Sequence, residues 1–527
     1  MADEEAATSG ACGDNLTWQL DGNTLTIAGT GDMWDYGVTS HAPWYADDIR
    51  ESIQTVIFDG NITSIGMRAF EDCENLTDIT IPDTVTEINS MAFSGCSSLT
   101  AIVIPDGVAD IGAWAFEGCS SLIGIILPDS VTYINNGTFR DCTNLADITI
   151  PDGVTQLNDD LFAGCTSLAN IVIPDTVTTI GSSVFFDCDS LTVLPIPEGV
   201  TAIGTGTFEE CDGLTDIVIP DNVTSIGFYA FQNCTNLTSV TLPDGLTSIG
   251  NSAFENCDSL TAIAIPDSVT SIGAFAFQYC DNLETVTLPD TLTAIESFLF
   301  RDCTSLTGIT LPNSVTSIGS SAFSGCTGLT NLIIPDNVTS IGDGAFSDCT
   351  SLMGITIPDR VDTIGSYAFT RCSSLSFIDV STGNTSYCSV DGVLFSKDRT
   401  ELISYPHGKA ADSYVIPDSV TVIADSAFYG SANLTSITIP NTITEIGSST
   451  FTGCTSLTDI TIPGSVTSIG DEAFYNCSSL TDVYYSGSEA EWEAIDISSR
   501  YNANSVLFST TIHFNSTGPD SGEEEPA

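Results

Sequence analysis

The sequence predicts an α/β-type solenoid, mostly β, in which short turns of chain stack into a curved rod with parallel strands. Three observations carry this reading. The stretch Leu76 to Ser98, LTDITIPDTVTEINSMAFSGCSS, returns as LTAIVIPDGVADIGAWAFEGCSS from Leu99 and again from Leu122, Leu145, Leu168 and Leu191, a fixed period of 23 residues. Each period holds apolar residues at alternating positions, as in Ile79 and Ile81, the pattern of a short strand. A unit this short cannot bury its apolar face alone, so neighbouring turns must stack to build a core.

Taken in order, residues 1–10 read as a disordered leader remnant and 11–58 as an N-terminal β cap. In the cap, Trp18-Gln-Leu20 and Leu25-Thr-Ile27 flank Asp21-Gly22-Asn23, the signature of a β-hairpin. Trp34, Pro43, Trp44 and Tyr45 form an aromatic cluster suited to covering the open end of the core, which terminal repeats require.

The solenoid occupies 59–482, and an AF-type phenylalanine marks each turn. It recurs from Phe70 to Phe369 at the 23-residue period and then at Phe428, Phe451 and Phe474, 17 turns in all. Leu76, Ile79 and Ile81 have the leucine-rich-repeat spacing L-x-x-L-x-L. Pro82-Asp83 stops the strand, with Asp83 expected to bond nearby N–H groups in an Asx turn. Val85 and Ile88 re-enter the core on a second extended segment, and Ala92, Phe93 and Cys96 fill it from a short helical or 3₁₀ turn.

The period fails once, because 59 residues separate Phe369 from Phe428. The insertion, about 380–415, holds Val393-Leu-Phe395 and Leu402-Ile403 around Lys397-Asp-Arg399, and reads as a hairpin projecting from the rod. Lys397, Arg399, His407 and Lys409 lie there, the one relief in a strongly negative field. Residues 483–515 read as a C-terminal cap and 516–527 as an acidic linker.

Charge excludes several functions. Of 527 residues, 69 are Asp or Glu and 10 are Lys or Arg, a formal charge of −59. Such a field repels nucleic acid and anionic membrane. The acids read as a solvated coat that keeps a β-rich rod from self-association, leaving a monomer expected and self-association open. A saline habitat or weakly bound divalent cations would soften the self-repulsion, and no other cofactor is expected. No run of 18 apolar residues offers a membrane span, and the start of the chain lacks a signal peptide, reading instead as a mature N-terminus.

Chemistry-bearing residues are regular rather than clustered. Cysteines recur at the 23-residue period from Cys73 to Cys372 and again at Cys454 and Cys477, with Ser431 in the same slot. Each would have two equal neighbours, so they read as small buried thiols rather than disulfides or zinc ligands. The aspartates after proline share their slot with Glu198, Asn313, Asn441 and Gly464, which favours a turn over a metal ladder. Three scattered histidines and no phosphate loop or nucleophile motif leave no catalytic set, so an enzyme is not expected.

The outward strand positions of the concave sheet are short-chained and nearly free of charge: Val103, Ile126, Thr149, Val172, Val218, Thr241, Thr287, Thr310, Ile333 and Thr356. Two readings stand side by side. The strip is a place where a partner docks with little charge to desolvate, or its small residues simply permit tight curvature.

The repeat IPDxVTxIGxxAFxxCxxL, running over residues 56 to 482, resembles that of the BspA-like leucine-rich-repeat surface proteins. The segments Cys12 to Trp18, Asp391 to Lys397 with Tyr405-Pro406, and Tyr484 to Trp492 resemble elements recurrent in that family. The resemblance implies a secreted or cell-surface protein of adhesion and binding, with an extracellular protein or glycan as partner and no shared catalytic motif. Members differ in ligand, so it assigns no binding residue. The alternative is a non-catalytic structural spacer or surface-coat component.

Overall fold

The computed structural model describes residues 8–498 and 504–518. Contacts divide the chain into two compact units between Ala276 and Phe277, and each is a mostly-β solenoid of 23-residue coils. The coil from Leu76, in the first unit, shows how the sequence makes this fold. Leu76, Ile79, Ile81, Val85, Ile88, Ala92, Phe93 and Cys96 are all buried, which turns the repeat's apolar positions inward. Two short strands, Asp78–Ile79 and Glu87–Ile88, place Asp78 and Glu87 outward. Strands pair in parallel with the same position one period on, as in Glu87↔Asp110 with Ile88↔Ile111, and Ala101↔Gly124 with Val103↔Ile126.

The turn after the first strand is closed by backbone, not by the expected Asx bond. Val85 N–H donates to the Pro82 carbonyl at 3.0 Å, and Val108 to Pro105 likewise, while Asp83 is exposed. The carboxylate is not needed to close this turn, which is why Glu, Asn and Gly also occupy the slot. Threonines have a role that the pattern alone conceals. Thr224 Oγ1 donates to the Thr201 carbonyl at 3.3 Å and Thr247 Oγ1 to the Thr224 carbonyl at 2.8 Å, each bonding one coil to the last.

The third side of the coil keeps the i→i−3 bonds of the expected short helical or 3₁₀ turn but is not a continuous helix. Met91 and Gly95 both take left-handed backbone, at φ 58° and 75°. Amides therefore alternate in direction. Ala92, Ser94 and Cys96 donate within the coil to the carbonyls of Asn89, Met91 and Phe93, while Met91, Phe93 and Gly95 donate to Ala113, Ala115 and Glu117 of the next coil at 2.7–2.9 Å. A helix would spend every amide inside its own coil, whereas this turn spends half of them on its neighbour. The second left-handed slot is mostly Asp, Asn or Gly, as at Asp72, Gly95, Gly118 and Asp141, types that tolerate it, with Glu210, Tyr279 and Arg371 as exceptions. The first accepts Met91 and Trp114, at a strain of roughly 1–2 kcal/mol each.

Inside, phenylalanines stack one on another. Phe70, Phe93 and Phe116 lie with centroids 5.4 Å apart and ring planes within 10° of parallel, and the column continues to Phe254. In the second unit it runs from Phe277 to Phe369. The cysteines follow it. Cys96 Sγ donates to the Phe70 carbonyl at 3.2 Å, Cys119 to Phe93 at 3.3 Å, and in the second unit Cys303 to Phe277 and Cys326 to Phe300 at 3.0 Å. The thiol is thus a donor that joins coils, beyond the small apolar filler its burial suggested.

At the N-terminus, Ser9–Gly13, Leu16–Asp21 and Thr24–Asp32 form an antiparallel sheet whose second turn is the expected hairpin, with Gly22 at φ 63°. Ordered strand therefore begins at Ser9, inside the stretch expected to be a disordered remnant, and residues 1–7 lie outside the described ones. Trp44 closes the core. It stacks on Phe70 at 5.9 Å and its Nε1 donates to the Ala69 carbonyl at 2.8 Å, with Trp18 edge-on at 5.6 Å. Trp34, expected in that cluster, is instead 42% exposed and donates to Asp14, because the hairpin already supplies Trp18 to the cap.

The insertion, in the second unit, does form a hairpin, but it does not project. Tyr387–Val390, Val393–Ser396 and Glu401–Ser404 make an antiparallel meander whose last strand pairs in parallel with Val422–Ile423. Val393, Leu394, Phe395 and Leu402 are buried. With consecutive apolar residues on both faces, the meander can only fold into the core, where it takes the place of one coil. Tyr405 stands in for the phenylalanine there, stacked on Phe428 at 5.2 Å. At the C-terminal end, Asp482–Tyr485 pairs with Thr511–Phe514, and the helix Glu489–Glu493, capped reciprocally by Ser488 and Glu491, sets Trp492 against Tyr485. The expected acidic linker lies outside the described residues from 519 onward.

Phe162→Ala, removing a ring stacked on both Phe139 and Phe185, should destabilise the protein by about 3–5 kcal/mol in chemical denaturation. Burial pushes the Cys119 thiol from its ordinary 9.0 up to about 12. Because the folded value is the raised one, the thiol's contribution to stability is whole below pH 9 and is lost as pH climbs toward 12. Denaturation midpoints should therefore fall steeply above pH 9, less so in Cys119→Ala. A thiol reagent at pH 8 should reach Cys388, the least buried cysteine, before the column, and titrate 18 thiols only in denaturant.

Candidate functional site

The outward face of the first-strand ladder carries the candidate strip. In the first unit, Val103 stands beside Ile126 and Thr149 beside Val172 on paired parallel strands. Val103, Ile126, Val172 and Val218 are between 59 and 74% exposed, and Thr149 and Thr241 are exposed with them. Inward Ile102, Ile125 and Ile148 anchor the strands, so the alternation that buries one isoleucine presents its neighbour to solvent. Pro195 interrupts the row: without an N–H it cannot join the ladder, and no strand forms there. The strand Asp216–Val218 begins a new pair beyond it.

In the second unit, Thr287 and Thr356 lie outward on strands, whereas Thr310 and Ile333 stand exposed on extended chain outside any assigned strand. The structure thus brings Val103, Ile126, Thr149 and Val172 into one contiguous row, sets Val218 beside Thr241 in a separate pair, and leaves Thr287, Thr310, Ile333 and Thr356 apart from both. Apolar side chains dominate only in the first unit, where they contrast most with the acids around them.

The insertion residues do not form one surface. Lys397 Nζ donates to the Asn384 carbonyl and Lys409 Nζ to the Asp391 carbonyl at 2.5 Å, so both ammonium groups tie down the meander. Arg399 is exposed in the turn between two strands. His407 corrects the sequence reading: it is 3% exposed, and burial drives its imidazole down to about 3, which keeps it neutral and inside.

Sequence reasoning missed a cleft of about 540 Å³ where the meander meets its neighbours. Tyr367, Tyr387, Glu401, Asp425 and Glu445 line it. Tyr387 reaches across to the preceding coil, its hydroxyl accepting from Ile364 N–H at 3.1 Å and donating to the Asp362 carbonyl at 3.2 Å. Arg371 crosses farther out, donating to the Tyr429 hydroxyl at 2.6 Å with its guanidinium 5.2 Å from that ring. The sequence signals were the 59-residue interval and the serine at 431, whose buried hydroxyl has no partner among the described residues. Among those residues no three carboxylate, imidazole or thiol groups converge to hold a metal ion, and no helix is long and apolar enough to cross a membrane.

The chain matches the family model for the BspA type leucine rich repeat region over residues 49–169, 157–284, 201–310, 270–396 and 407–516. It is similar to a leucine-rich repeat protein from Eubacterium ventriosum at 26% identity, covering 73% of this chain and 98% of that one, with a TM-score of 0.46. It is similar to a leucine rich cell surface protein from Faecalibacterium prausnitzii at 30% identity, covering 66% and 90%, with a TM-score of 0.41. A leucine-rich repeat protein from Bacteroides ovatus shares 23% identity over 95% and 98%, with a TM-score of 0.36. No curated protein matches.

The burial of His407 has a measurable consequence. Its folded value lies below the unfolded one, so the unfolded chain binds the extra proton and stability is lost as pH falls from about 6.5 toward 3, by about 1.4 kcal/mol per unit. His407→Gln should be less sensitive to acid across that window, read as the shift in denaturation midpoint between pH 7 and pH 4.

Proposed function

Because the chain belongs to the family of BspA-type leucine-rich-repeat proteins, we propose that it acts at a cell surface or outside the cell as an adhesion and binding module. The observation that carries this reading is the row Val103, Ile126, Thr149 and Val172, held open to solvent on paired strands of an otherwise acidic protein. A partner that covers the row removes apolar surface from water and leaves few charges to desolvate, which is where a binding face gains most. The surrounding acids then select. They repel polyanions, and they steer toward the strip a protein or glycan that is neutral or basic. The similar protein from Faecalibacterium prausnitzii is described as a cell surface protein, in keeping with this location.

The scaffold suits such a role. Its core is made by inward leucine, isoleucine, phenylalanine and cysteine, so the outward strand positions vary without disturbing the stack. The reading is non-catalytic: recognition by a fixed surface, with no group activated for reaction.

The test is attachment to immobilised extracellular proteins and glycans at physiological and high salt. The triple variant Val103→Lys, Ile126→Lys, Val172→Lys should keep the wild-type circular dichroism and lose attachment at least tenfold. Undiminished attachment would move recognition off the strip, and no attachment by the wild-type protein would favour a spacer that only holds other domains away from the cell.

A further inference from the structure

In regular coils the third side hands three amides to the coil that follows, as Met91, Phe93 and Gly95 do. The corresponding amides at the meander are those of Tyr367, Phe369 and Arg371, and they have no acceptor among the described residues. On the far side, the carbonyl of Ala427 accepts from Tyr405 N–H at 2.8 Å. Those of Asp425 and Tyr429, which regular stacking would also engage, accept no backbone bond among the described residues. The chain thus interrupts its own ladder, and Tyr367, Phe369 and Asp425 line the 540 Å³ cleft with unpaired donors on one wall and an unpaired acceptor on the other, Arg371 and Tyr429 lying beyond its margin. Unpaired backbone edges recruit an added strand.

We propose that this cleft binds an extended peptide segment bearing basic side chains, which completes the interrupted ladder by edge addition. The spaced row of amides calls for main-chain carbonyls at the repeat of a peptide. Charge selects the side chains. Glu401, Asp425 and Glu445 line the cleft without a basic residue among its walls. Arg371, at its outer margin, is held by Tyr429 and faces Asp348 at 3.6 Å. Tyr367 is 43% exposed and gives an apolar residue of the same peptide a ring to rest on. This site is separate from the apolar strip of the first unit, and neither depends on the other.

The probe is a fluorescein-labelled octapeptide of alternating lysine and valine, with alternating serine and valine as control, measured by anisotropy in 0.5 M NaCl to suppress diffuse attraction to a chain of charge −59. The wild-type protein should bind the lysine peptide and protect the amides of residues 364–372 from hydrogen exchange. Ser366→Trp, which projects an indole into the cleft from an exposed position, should weaken binding at least tenfold. Glu401→Gln with Glu445→Gln should weaken it and flatten its salt dependence, keeping the test valid should the tryptophan variant fold poorly. The triple lysine variant of the strip should bind the peptide as wild type does. Protection spread evenly over the repeats, binding unchanged by both cleft variants, or displacement by maltohexaose in place of peptide would overturn the proposal.

Discussion

Everything in this protein depends on the transfer of hydrogen bonds between coils at a fixed offset. A 23-residue coil cannot satisfy its own backbone, and it does not try. Met91, Phe93 and Gly95 donate forward, Thr247 donates backward through its hydroxyl, and column thiols such as those of Cys96 and Cys119 reach the phenylalanine carbonyl of the preceding coil. Because these bonds all require the same register, the phenylalanines must stack and the inward isoleucines must align. A register slip of one residue would turn the inward isoleucines outward and leave the thiols with no acceptor.

That dependence explains what the sequence disclosed. Burial is periodic, so Leu76, Ile79, Phe93 and Cys96 could be assigned to the core from spacing alone, and the hairpin about Gly22 from its turn residues. Hydrogen-bond direction is not periodic in residue type. Met91, Trp114 and Gly137 share one left-handed slot with nothing in common chemically, which hid the alternation of amides and made a helical turn look reasonable. The same blindness applied to the Pro-Asp turn, where the visible aspartate is dispensable and the backbone closes the bend.

The candidate sites were legible to different degrees. Outward strand positions follow from period-two alternation, and all ten strip residues are exposed as expected, yet pairing that makes neighbours of Val103 and Ile126 fails for Thr310 and Ile333. The insertion was found by its broken period and misplaced by its charge: Lys397, His407 and Lys409 suggested a projecting surface, while the buried Val393, Leu394 and Phe395 hold the segment in the core. Lysines there serve the meander's own carbonyls.

The coil edge from Tyr367 to Arg371 also bears on how the stack comes apart. A solenoid behaves as a one-dimensional chain whose cooperativity is the product of nearest-neighbour couplings. At this edge the usual amide bonds are replaced by the reach of two side chains, Tyr387 to Asp362 and Arg371 to Tyr429. Within the second unit the third-side coupling is weaker at that joint than between regular coils, so the coils on either side of it should melt less cooperatively with one another, and under tension that unit should yield first between Phe369 and Phe428.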